Sequence, residues 1–479
     1  MSPHPASLPL AVDMDGTLVC GDTLWEACVK LVVHKPWFAL LLPFWLLRGK
    51  AGFKQTVSQH VSLNPAGLAY HPAVLEYLQQ QKQQGRALWL VTAANHDIAD
   101  RIAAHHHGLF EGVLASDAEH NLSGQNKARA LVARFGEKDF VYAGNAHIDL
   151  NVWRHAAAAV VVNASDDLVS KAGNVTRLEQ VIREPVQHGL LQRIARAIRL
   201  HQWTKNLLVF VPLILAHSWS RLDLGLTVLL AFIAFCCSAS AIYIINDFVD
   251  LEADRQHRQK RFRPFAAGTL PLYWGVGLAP VLLLVAFTIA LNINAMFALV
   301  LLGYIVLTLS YSFLLKPFAL LDVLALTSLY TLRIIGGAVA VNLSLSYWLL
   351  AFSMFIFLSL ALSKRYSELH NLKQLGSGKQ QARGYHVEDL PIIILFGISS
   401  GYLAVLVTVL YINDLQADAL YSHPMWLWPV SMAVLYWISR IWLLAHRGEL
   451  HEDPVLFAIH DRASYVVVLL VAISLLLAL

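Results

Sequence analysis

Two patterns of hydrophobic and polar positions divide the chain. Between residues 8 and 182, short apolar runs alternate with longer amphipathic stretches, which is typical of an α/β domain with a parallel sheet. The predicted strands are Leu8–Val12, Ala87–Thr92, Gly112–Ala115, Phe140–Ala143 and Ala156–Val162. Most of residues 205–479 consists instead of apolar runs close to the ~20 residues that cross a bilayer. We therefore predict a multidomain protein: an N-terminal α/β domain with a Rossmann-type parallel sheet and helical cap, followed by an all-α polytopic membrane domain.

The same pattern predicts the domain boundaries. The α/β domain covers residues 1–185, with a cap at about 19–85, and the membrane domain covers residues 205–479. Residues 186–204 have apolar and arginine positions at helical spacing, which predicts a linker helix lying on the membrane surface. The cap contains the apolar stretch Pro36–Leu47, which is either a buried cap helix or a membrane-contacting segment that collects a lipid substrate.

About nine apolar runs are candidate transmembrane helices. They lie near residues 205–217, 224–245, 272–291, 295–315, 320–341, 346–363, 391–411, 425–445 and 464–479. The loops expected in the cytosol hold Arg255, Arg258, Lys260, Arg261, Arg263, Lys316, Lys364, Arg365, Lys373, Lys379, Arg383, Arg447 and Arg462. The opposite loops hold only Arg221. We expect an integral protein of a bacterial-type inner membrane, with the N-terminal domain in the cytosol and the C-terminus outside.

Composition agrees with a membrane location. Hydrophobic residues make up 57% of the chain and charged residues 14%, against roughly 25% charged in soluble domains. The first eleven residues are too short and too rich in proline for a secretory signal. The four cysteines lack metal-ligand spacing, so we interpret them as structural. The net charge of +4 does not indicate a nucleic-acid partner.

Two carboxylates follow the first predicted strand. The sequence Asp13-Met-Asp15-Gly-Thr resembles the first motif of the HAD superfamily. The resemblance implies that Asp13 is a nucleophile toward a phosphate ester and that Asp15 is the general acid and base. Thr92 matches the second motif, whose hydroxyl binds the phosphoryl group. Lys127 matches the third, where its ammonium offsets charge on the transferred group.

The fourth motif departs from the family pattern. A Gly-Asp pair is usual, whereas this chain has Gly144-Asn145, followed by Asp149. The implied magnesium ligands are Asp13, Asp15, Asn145 and Asp149. Since an amide oxygen binds magnesium less strongly than a carboxylate, Asp149 and Asp13 would carry more of the metal site. Both an active phosphatase and a regulatory or degenerate domain remain open.

A second carboxylate group follows the second predicted span. Asn246 and Asp247 are followed by Asp250 and Asp254, and spacings of three and four place the three aspartates on one face of a helix. Such a cluster repels itself unless a divalent cation is present, and magnesium can bind carboxylate and pyrophosphate oxygens together. Cationic side chains suited to phosphate follow directly: Lys260, Arg261 and Arg263.

This aspartate block resembles the first aspartate motif of UbiA-type transferases, and the resemblance runs from about residue 190 to the end. It implies a helical fold with nine spans. Prenyl-transferring members generally carry a second aspartate block after the sixth span, where this chain has Ser363–Leu369. Together with Arg255–Pro264, Gln202–Asn206 and the segment from Arg447 through Asp453 to Arg462, this is similar to the decaprenyl-phosphate phosphoribosyltransferases.

The resemblance implies that phosphoribosyl pyrophosphate is the donor, that a membrane polyprenyl phosphate is the acceptor and that Mg²⁺ is the cofactor. The catalytic and magnesium-binding residues would be Asp247, Asp250 and Asp254. The substrate-binding residues would be Lys205, Asn206, Asn246, Lys260, Arg261, Arg263, Arg333, Lys364 and Arg365. Arg333 falls inside a predicted span, where a cation is costly. It is either a ligand of the lipid phosphate or pyrophosphate, or a structural partner of an acid such as Asp322.

Two other functions remain open for the membrane domain. The same aspartates would serve a prenyltransferase that moves a prenyl group from prenyl pyrophosphate to an aromatic or other acceptor. A transporter or binding protein with a regulatory HAD domain is the third hypothesis. If the membrane domain transfers phosphoribose, the fused phosphatase would remove the 5-phosphate of the lipid product. The sequence is compatible with a homo-oligomer.

Overall fold

A computed structural model gives the fold of the chain. It describes residues 8–47, 49–116, 121–185, 189–218, 220–374, 381–414, 417, 420–450 and 454–479. Lys379, Asp453 and the first three residues of the predicted linker, 186–188, lie outside the described residues. The chain forms two compact units. One comprises Met1–Ile198 with Tyr243–Ala279, and the other comprises Arg199–Ile242 with Pro280–Leu479.

A six-stranded parallel sheet forms the centre of the first unit. Its strands are β1 (Leu10–Asp13), β2 (Leu88–Asn95), β3 (Gly112–Ser116), β4 (Val141–Gly144), β5 (Ala158–Val162) and β6 (Arg177–Ile182). The spatial order is β3-β2-β1-β4-β5-β6. Sequence patterning predicted the first five strands, and the structure adds β6 at the edge. The parallel sheet of the predicted α/β domain is therefore confirmed.

Both faces of the sheet are covered by apolar side chains. Successive residues of a strand point to opposite faces, and Leu10 and Val12 accordingly join one buried cluster whereas Ala11 joins another. The first cluster also contains cap residues such as Phe53 and Val57. Burial on both faces explains why the central strands read as continuous apolar runs.

Nine helices belong to residues 8–198 as far as the structure describes them. They are α1 (Thr23–His34), α2 (Phe38–Leu46), α3 (Gly49–His60), α4 (Pro72–Gln83), α5 (His96–His105), α6 (Gln125–Phe135), α7 (Leu150–Trp153), α8 (Asp166–Val175) and α9 (Leu190–Ala197). Helix α1 begins at Asp22, whose carboxylate accepts hydrogen bonds from the N–H groups of Leu24 and Trp25. This N-cap satisfies backbone donors that the helix itself leaves without partners.

Helix α2 corrects one interpretation of the cap. The stretch Pro36–Leu47 was open to reading as a buried cap helix, but none of the α2 residues is buried. Its large exposed side chains and those beside it are Trp37, Leu40, Leu41, Phe44, Leu46 and Leu47. The prediction of a buried cap helix is therefore wrong for α2. An exposed apolar surface of this kind is typical of an interaction site.

The first unit also contains a helix-turn segment from the membrane domain. Helix α11 (Leu222–Val249) ends there, α12 (Leu251–Gln256) follows after a turn at Asp250, and a short 3₁₀ turn covers Lys260–Phe262. We call residues 246–268 the aspartate loop. It packs with the cap of the α/β domain, as described below.

The second unit is helical throughout its described residues, apart from a small hairpin of Gln381–Ala382 and Tyr385–His386. A 3₁₀ segment at Leu200–Phe210 leads into α10 (Val211–Leu215). The further helices are α13 (Leu272–Ile293), α14 (Ala295–Ser310), α15 (Leu321–Ala340), α16 (Tyr347–Gln374), α17 (Leu390–Ile412), α18 (Trp428–His446), α19 (Pro454–His460) and α20 (Arg462–Ala478).

Seven helices in the described residues are long and apolar enough to cross a membrane. They correspond to seven of the predicted spans, and α20 adds a shorter apolar helix in the position of the last one. The first predicted span, 205–217, is instead built from the 3₁₀ segment and the five residues of α10. The predicted count of nine is thus approximate, and the polytopic helical membrane domain is confirmed.

Candidate functional site

The parallel sheet brings three predicted site residues together. Asp13 ends β1, Thr92 lies in the adjacent β2, and Asn145 follows β4 on the other side of β1. Carboxyl ends of parallel strands meet at one edge of a sheet, where open α/β folds place their ligand sites. Two of these residues are buried there, with 9% of the whole Asp13 residue and 0% of Thr92 exposed. The hydroxyl of Thr92 accepts a hydrogen bond from the N–H of Ala94, which fixes its direction.

A buried chain of hydrogen bonds links the first, third and fourth motifs. The ammonium of Lys127 lies 2.7 Å from Asp13 Oδ1 and 2.9 Å from the hydroxyl of Tyr142. That hydroxyl donates in turn to Asp149 Oδ1 at 3.1 Å. Burial raises the pKa of Tyr142, so the phenol stays neutral and able to donate. These contacts hold the Asp13 carboxylate in a fixed orientation at the end of β1.

Asp149 is held by the protein on both of its oxygens. Besides Tyr142, the backbone N–H groups of Asn145 and Ala146 donate to Asp149 Oδ2, each at 2.9 Å. Burial, and next to it the charge of Asp13, raises the pKa of Asp149 to about 6. The residue thereby fixes the loop that carries Asn145. Its expected role as a magnesium ligand stays a prediction.

Asp15 faces the cap. Its Oδ1 accepts a hydrogen bond of 2.8 Å from the backbone N–H of Thr23, the first residue of α1. Burial raises the pKa of Asp15 to about 7, and the charges of Asp22 and Asp13 act in the same direction. A carboxyl that gains and loses its proton near neutral pH is suited to general acid–base catalysis.

Asn145 closes the other side of this site. Its amide oxygen accepts a 3.4 Å hydrogen bond from the Thr17 hydroxyl. Gly16 has a φ of +75°, and a Cβ at this position would lie 2.2 Å from Asn145 Nδ2. The glycine is therefore required by both the backbone conformation and the close approach of Asn145.

The donor atoms fit magnesium chemically, because carboxylate and amide oxygens are the hard ligands that this ion prefers. Asp13, Asp15 and Asn145 supply such oxygens around the ends of β1 and β4. Within the described part of the chain, no group of three or more His, Cys, Asp or Glu side chains is arranged to hold a metal ion. The expected role of Asp13, Asp15 and Asn145 as magnesium ligands stays a prediction.

The aspartate loop gathers two of its three acids around one arginine. Arg263 Nη1 lies 3.2 Å from Asp247 Oδ1 and also pairs with Asp254 Oδ2. Asp247 and Asp254 are 3% and 2% exposed. Lys260 approaches the other oxygen of Asp254 at 3.8 Å. The continuous helix expected for the three aspartates is interrupted at Asp250, so Arg263 joins acids that belong to two different helices.

The remaining loop residues are more open. Asp250 is half-buried and its N–H donates to the carbonyl of Asn246, itself half-buried. Arg261 is exposed and stacks over the Phe262 ring at 4.8 Å. The loop therefore presents a carboxylate and a guanidinium at its surface, beside a buried, charge-compensated pair.

A family model described as "UbiA prenyltransferase family" matches residues 207–477, more than half of the chain. The chain belongs to the UbiA prenyltransferase family. A second model, described as "haloacid dehalogenase-like hydrolase", matches residues 10–154. The protein is thus a UbiA-family integral membrane protein with an N-terminal HAD-like domain, and the two families are those of transferases and hydrolases.

Three proteins that are similar in sequence to this UbiA protein have the following identities and coverage. "Uncharacterized protein y4nM" of Sinorhizobium fredii is 38% identical over 98% of this chain and 91% of its own length. "Nodulation protein NoeC" of Azorhizobium caulinodans is 36% identical over 58% of this chain and 91% of its own. "Decaprenyl-phosphate phosphoribosyltransferase" of Mycolicibacterium smegmatis is 40% identical over 40% of this chain and 61% of its own.

Within the UbiA helices, Arg333 is buried in α15 without a carboxylate at ion-pair distance among the described residues. Its Nε donates to Asn206 Oδ1 at 2.7 Å, and its other donors reach the carbonyl of Leu329 and the hydroxyl of Tyr304. The expected alternative partner, Asp322, is not bound to Arg333. Two members of the predicted substrate set, Arg333 and Asn206, are therefore in direct contact.

Asp322 belongs instead to Arg365 of α16. Both side chains are at most 1% exposed, and Arg365 Nε lies 2.5 Å from Asp322 Oδ2. Glu368 binds the same guanidinium at 2.6 Å, and the hydroxyl of Tyr385 donates to Asp322 at 2.7 Å. This network makes Arg365 a structural residue in the described conformation. The partly buried Lys364 precedes it, and Lys205, also half-buried, precedes Asn206.

Two functional residues had escaped sequence reasoning. Tyr142 lies in an apolar strand, and its only signal is a hydroxyl two residues before the Gly144-Asn145 pair. Arg255 had been noted only as a loop cation, yet it binds Glu26 of the cap. Glu26 and Arg255 are 229 residues apart, so no sequence spacing indicates their contact, and Tyr142 belongs to no motif that points to Lys127 or Asp149.

Proposed function

We propose that the UbiA domain transfers 5-phosphoribose from phosphoribosyl pyrophosphate to a membrane polyprenyl phosphate, with Mg²⁺ as cofactor. The observation that carries the proposal is the sequence Ser363–Leu369 within α16. Prenyl-transferring relatives are expected to have a second acidic block at this position, whereas this chain has Lys364 and Arg365 there. The partial similarity to the phosphoribosyltransferase of M. smegmatis supports the same substrates.

In this reaction an oxygen of the lipid phosphate attacks the anomeric carbon of the ribose, and the bond from that carbon to pyrophosphate breaks. When bound, Mg²⁺ neutralises charge on the leaving pyrophosphate. Asp250 is the accessible carboxylate for this ion, and Asp247 and Asp254 are the acids that Arg263 holds beside it. Lys260 and Arg261 supply further positive charge.

Arg333 supports binding of an anionic group inside the helical unit. A buried guanidinium that meets only neutral acceptors is costly, and a bound phosphate would compensate its charge. Asn206 and Tyr304 orient the guanidinium through hydrogen bonds of 2.7 Å and 3.0 Å. We propose that this group binds the acceptor phosphate or the pyrophosphate, with Lys205 and Lys364 as additional cations.

We propose that the HAD-like domain removes the 5-phosphate from the lipid-linked product. Asp13 attacks the phosphorus atom and forms an aspartyl phosphate, while Asp15 protonates the departing ribose oxygen. Water then attacks the phosphorus, Asp15 takes its proton, and inorganic phosphate leaves with Asp13 restored. Lys127 holds Asp13 in line, Thr92 binds the phosphoryl oxygens, and Asp13, Asn145 and Asp149 would hold the magnesium while Asp15 carries the proton.

The exposed α2 supports a lipid-linked substrate for this step. It lacks charged residues, and Leu40 and Phe44 are 75% and 66% exposed. An apolar helix with aromatic residues at its ends suits the interface of a bilayer. We propose that α2 contacts the cytosolic leaflet of a bacterial-type inner membrane, in a chain organised as residues 1–185, 186–204 and 205–479.

Transfer of a prenyl group is the second candidate, favoured by the description of the matching family model. One experiment separates the candidates. Detergent-purified protein is incubated with Mg²⁺, radiolabelled phosphoribosyl pyrophosphate and a polyprenyl phosphate, and the label is followed into the organic phase. Label that disappears with Asp250→Asn supports phosphoribosyl transfer. Its absence, together with incorporation from labelled prenyl pyrophosphate into an aromatic acceptor, contradicts the first proposal.

A further inference from the structure

Within the first unit, helix α1 contacts both Asp15 of the HAD-like site and the aspartate loop. At its first residue, the N–H of Thr23 donates to Asp15 Oδ1 at 2.8 Å. One turn later, Glu26 binds Arg255, the residue that follows Asp254 in the aspartate loop. The two contacts are three residues apart on a single helix, so the position of α1 is common to both carboxylate sets.

The Glu26–Arg255 contact has the features of a specific pair. Its two N–H···O bonds measure 2.5 Å and 3.1 Å, and the side chains are 5% and 8% exposed. Arg255 also donates to the carbonyl groups of Gly67 in the cap and Ala266 in the loop, at 2.8 Å and 3.1 Å. A planar guanidinium that satisfies four acceptors fixes geometry as well as charge.

The neighbouring contacts keep α1 against the loop. Lys30 lies 2.6 Å from Glu252 of the loop, and the ring of Trp25 lies 6.3 Å from that of Tyr273, near the start of α13. The Lys30–Glu252 pair is more open, at 21% and 44% exposure. Exposed pairs contribute little to stability, whereas removing one partner of a buried pair leaves an uncompensated charge. The buried pair is therefore the one that determines the register of α1 on the loop.

We propose that Glu26 and Arg255 are positioning residues that couple the phosphatase site to the aspartate loop through α1. The aspartate loop sets the place of Arg255, Arg255 sets the place of α1, and the first N–H of α1 sets the direction of Asp15. By reciprocity, a ligand that alters the aspartate loop alters Asp15. This inference rests on the proposed use of Asp15 in a phosphatase.

Amide hydrogen exchange of the full chain tests the coupling without either activity. Arg255→Lys keeps the charge but loses the two-pronged contact, and we expect faster exchange in residues 15–24. Glu26→Gln should speed exchange in residues 251–256. Lys30→Met is the matched control, because it removes the exposed pair between the same two helices. Equal exchange in the three variants and the wild type at both segments would overturn the proposal.

Hydrolysis of p-nitrophenyl phosphate tests the consequence for Asp15. Displacing a reacting group by about 1 Å can cost roughly 100-fold in rate, so we expect Arg255→Lys to lower kcat between about 10- and 100-fold with KM within about twofold. Lys30→Met should retain the wild-type kcat. A fall in Lys30→Met as large as in Arg255→Lys would assign the effect to general loosening of α1 and overturn the positioning role.

Magnesium pyrophosphate then probes the direction from loop to phosphatase. We expect it to change the wild-type kcat and to leave Asp250→Asn and Arg255→Lys unaffected, whereas direct competition at Asp13 would persist in both variants and contradict coupling. If the wild type hydrolyses no phosphate ester while exchange still links the two segments, the phosphatase proposal fails and the coupling stands.

Discussion

Lys127 and Asp13 form a buried ion pair of 2.7 Å at the end of β1. Their side chains are 5% and 12% exposed, so each charge depends on the other for compensation. The pair therefore contributes both to the stability of the HAD-like domain and to the orientation of Asp13, the proposed nucleophile.

Replacing Lys127 with Met should abolish phosphatase activity and lower the free energy of unfolding by roughly 3–5 kcal/mol, the cost of leaving one partner of a buried pair. Chemical denaturation followed by tryptophan fluorescence measures the stability change. Lys171→Met is the control, since its pair with Asp167 is 51% and 61% exposed and should contribute little to stability. Similar losses in the two variants would contradict this account.

The raised pKa of Asp15 predicts how stability depends on pH in the absence of metal. A carboxyl with a folded pKa of about 7, against 3.8 for the free group, binds more protons when folded between those values. In EDTA, protonation of Asp15 should therefore increase the free energy of unfolding as the pH falls from 8 toward 5. Comparing melting temperatures of wild type and Asp15→Asn across this range isolates the contribution, which the variant should lack.

The same proton competes with magnesium. Since protonation of Asp15 removes a negative charge beside the expected magnesium site, the Mg²⁺ concentration for half-maximal phosphatase activity should rise as the pH drops from 8 to 6. Titrations of MgCl₂ at several pH values measure this shift. A half-maximal concentration that is constant over the range would show that protonation of Asp15 does not oppose metal binding.

Arg333 and Arg365 should respond differently to the same substitution. Arg365→Met leaves Asp322, which is fully buried, without its cation, so we expect loss of the folded, monodisperse protein in detergent. Arg333→Met removes hydrogen bonds to neutral groups only and should leave a folded protein that no longer labels the lipid. Size-exclusion chromatography and the transfer assay measure the two effects. If Arg365→Met folds and loses only substrate binding, Arg365 is a substrate-binding residue and not a structural one.

Helix α2 should matter only for substrates in a bilayer. Leu40→Glu adds a charge to a side chain that is 75% exposed, so the fold has little to lose, but contact with lipid becomes costly. We expect a KM increase of about tenfold or more for a lipid-linked phosphate in liposomes and unchanged hydrolysis of p-nitrophenyl phosphate. Leu40→Ala, which adds no charge, should show a much smaller effect. Equal KM values in the two variants would contradict a contact between α2 and the membrane.

Local patterning was sufficient for most of the fold. The central strands are apolar because both faces of the sheet are buried, and that signal lies in consecutive residues such as Leu10 and Val12. Strand β6 was missed because its edge position leaves Arg177 and Gln180 exposed, which gives it a mixed composition. The segment Leu200–Phe210 is as apolar as a membrane span but forms a 3₁₀ helix instead of a long α-helix. Hydropathy alone does not distinguish the two.

The candidate site was predicted only as far as motifs extend. Motif positions located Asp13 and Lys127, whose contact the sheet then provides. Pairings between distant segments were not readable: Arg365 was expected to bind phosphate, and Asp322 was considered for Arg333 rather than Arg365. A cation's type and position indicate that it needs an anion, but only the packing of helices decides whether the protein supplies that anion itself.

Helices α11 and α16 are each 28 residues long. At 1.5 Å per residue each measures about 42 Å, which exceeds the ~30 Å hydrocarbon layer by about two turns. The surplus coincides with the polar ends, which carry Asn246 and Asp247 in one helix and the residues after Lys364 in the other. We therefore expect the length of each helix to place these side chains in the aqueous layer when its apolar part spans the bilayer. Deleting one turn from the apolar part of α11, with the loop untouched, would draw its aspartates toward the lipid.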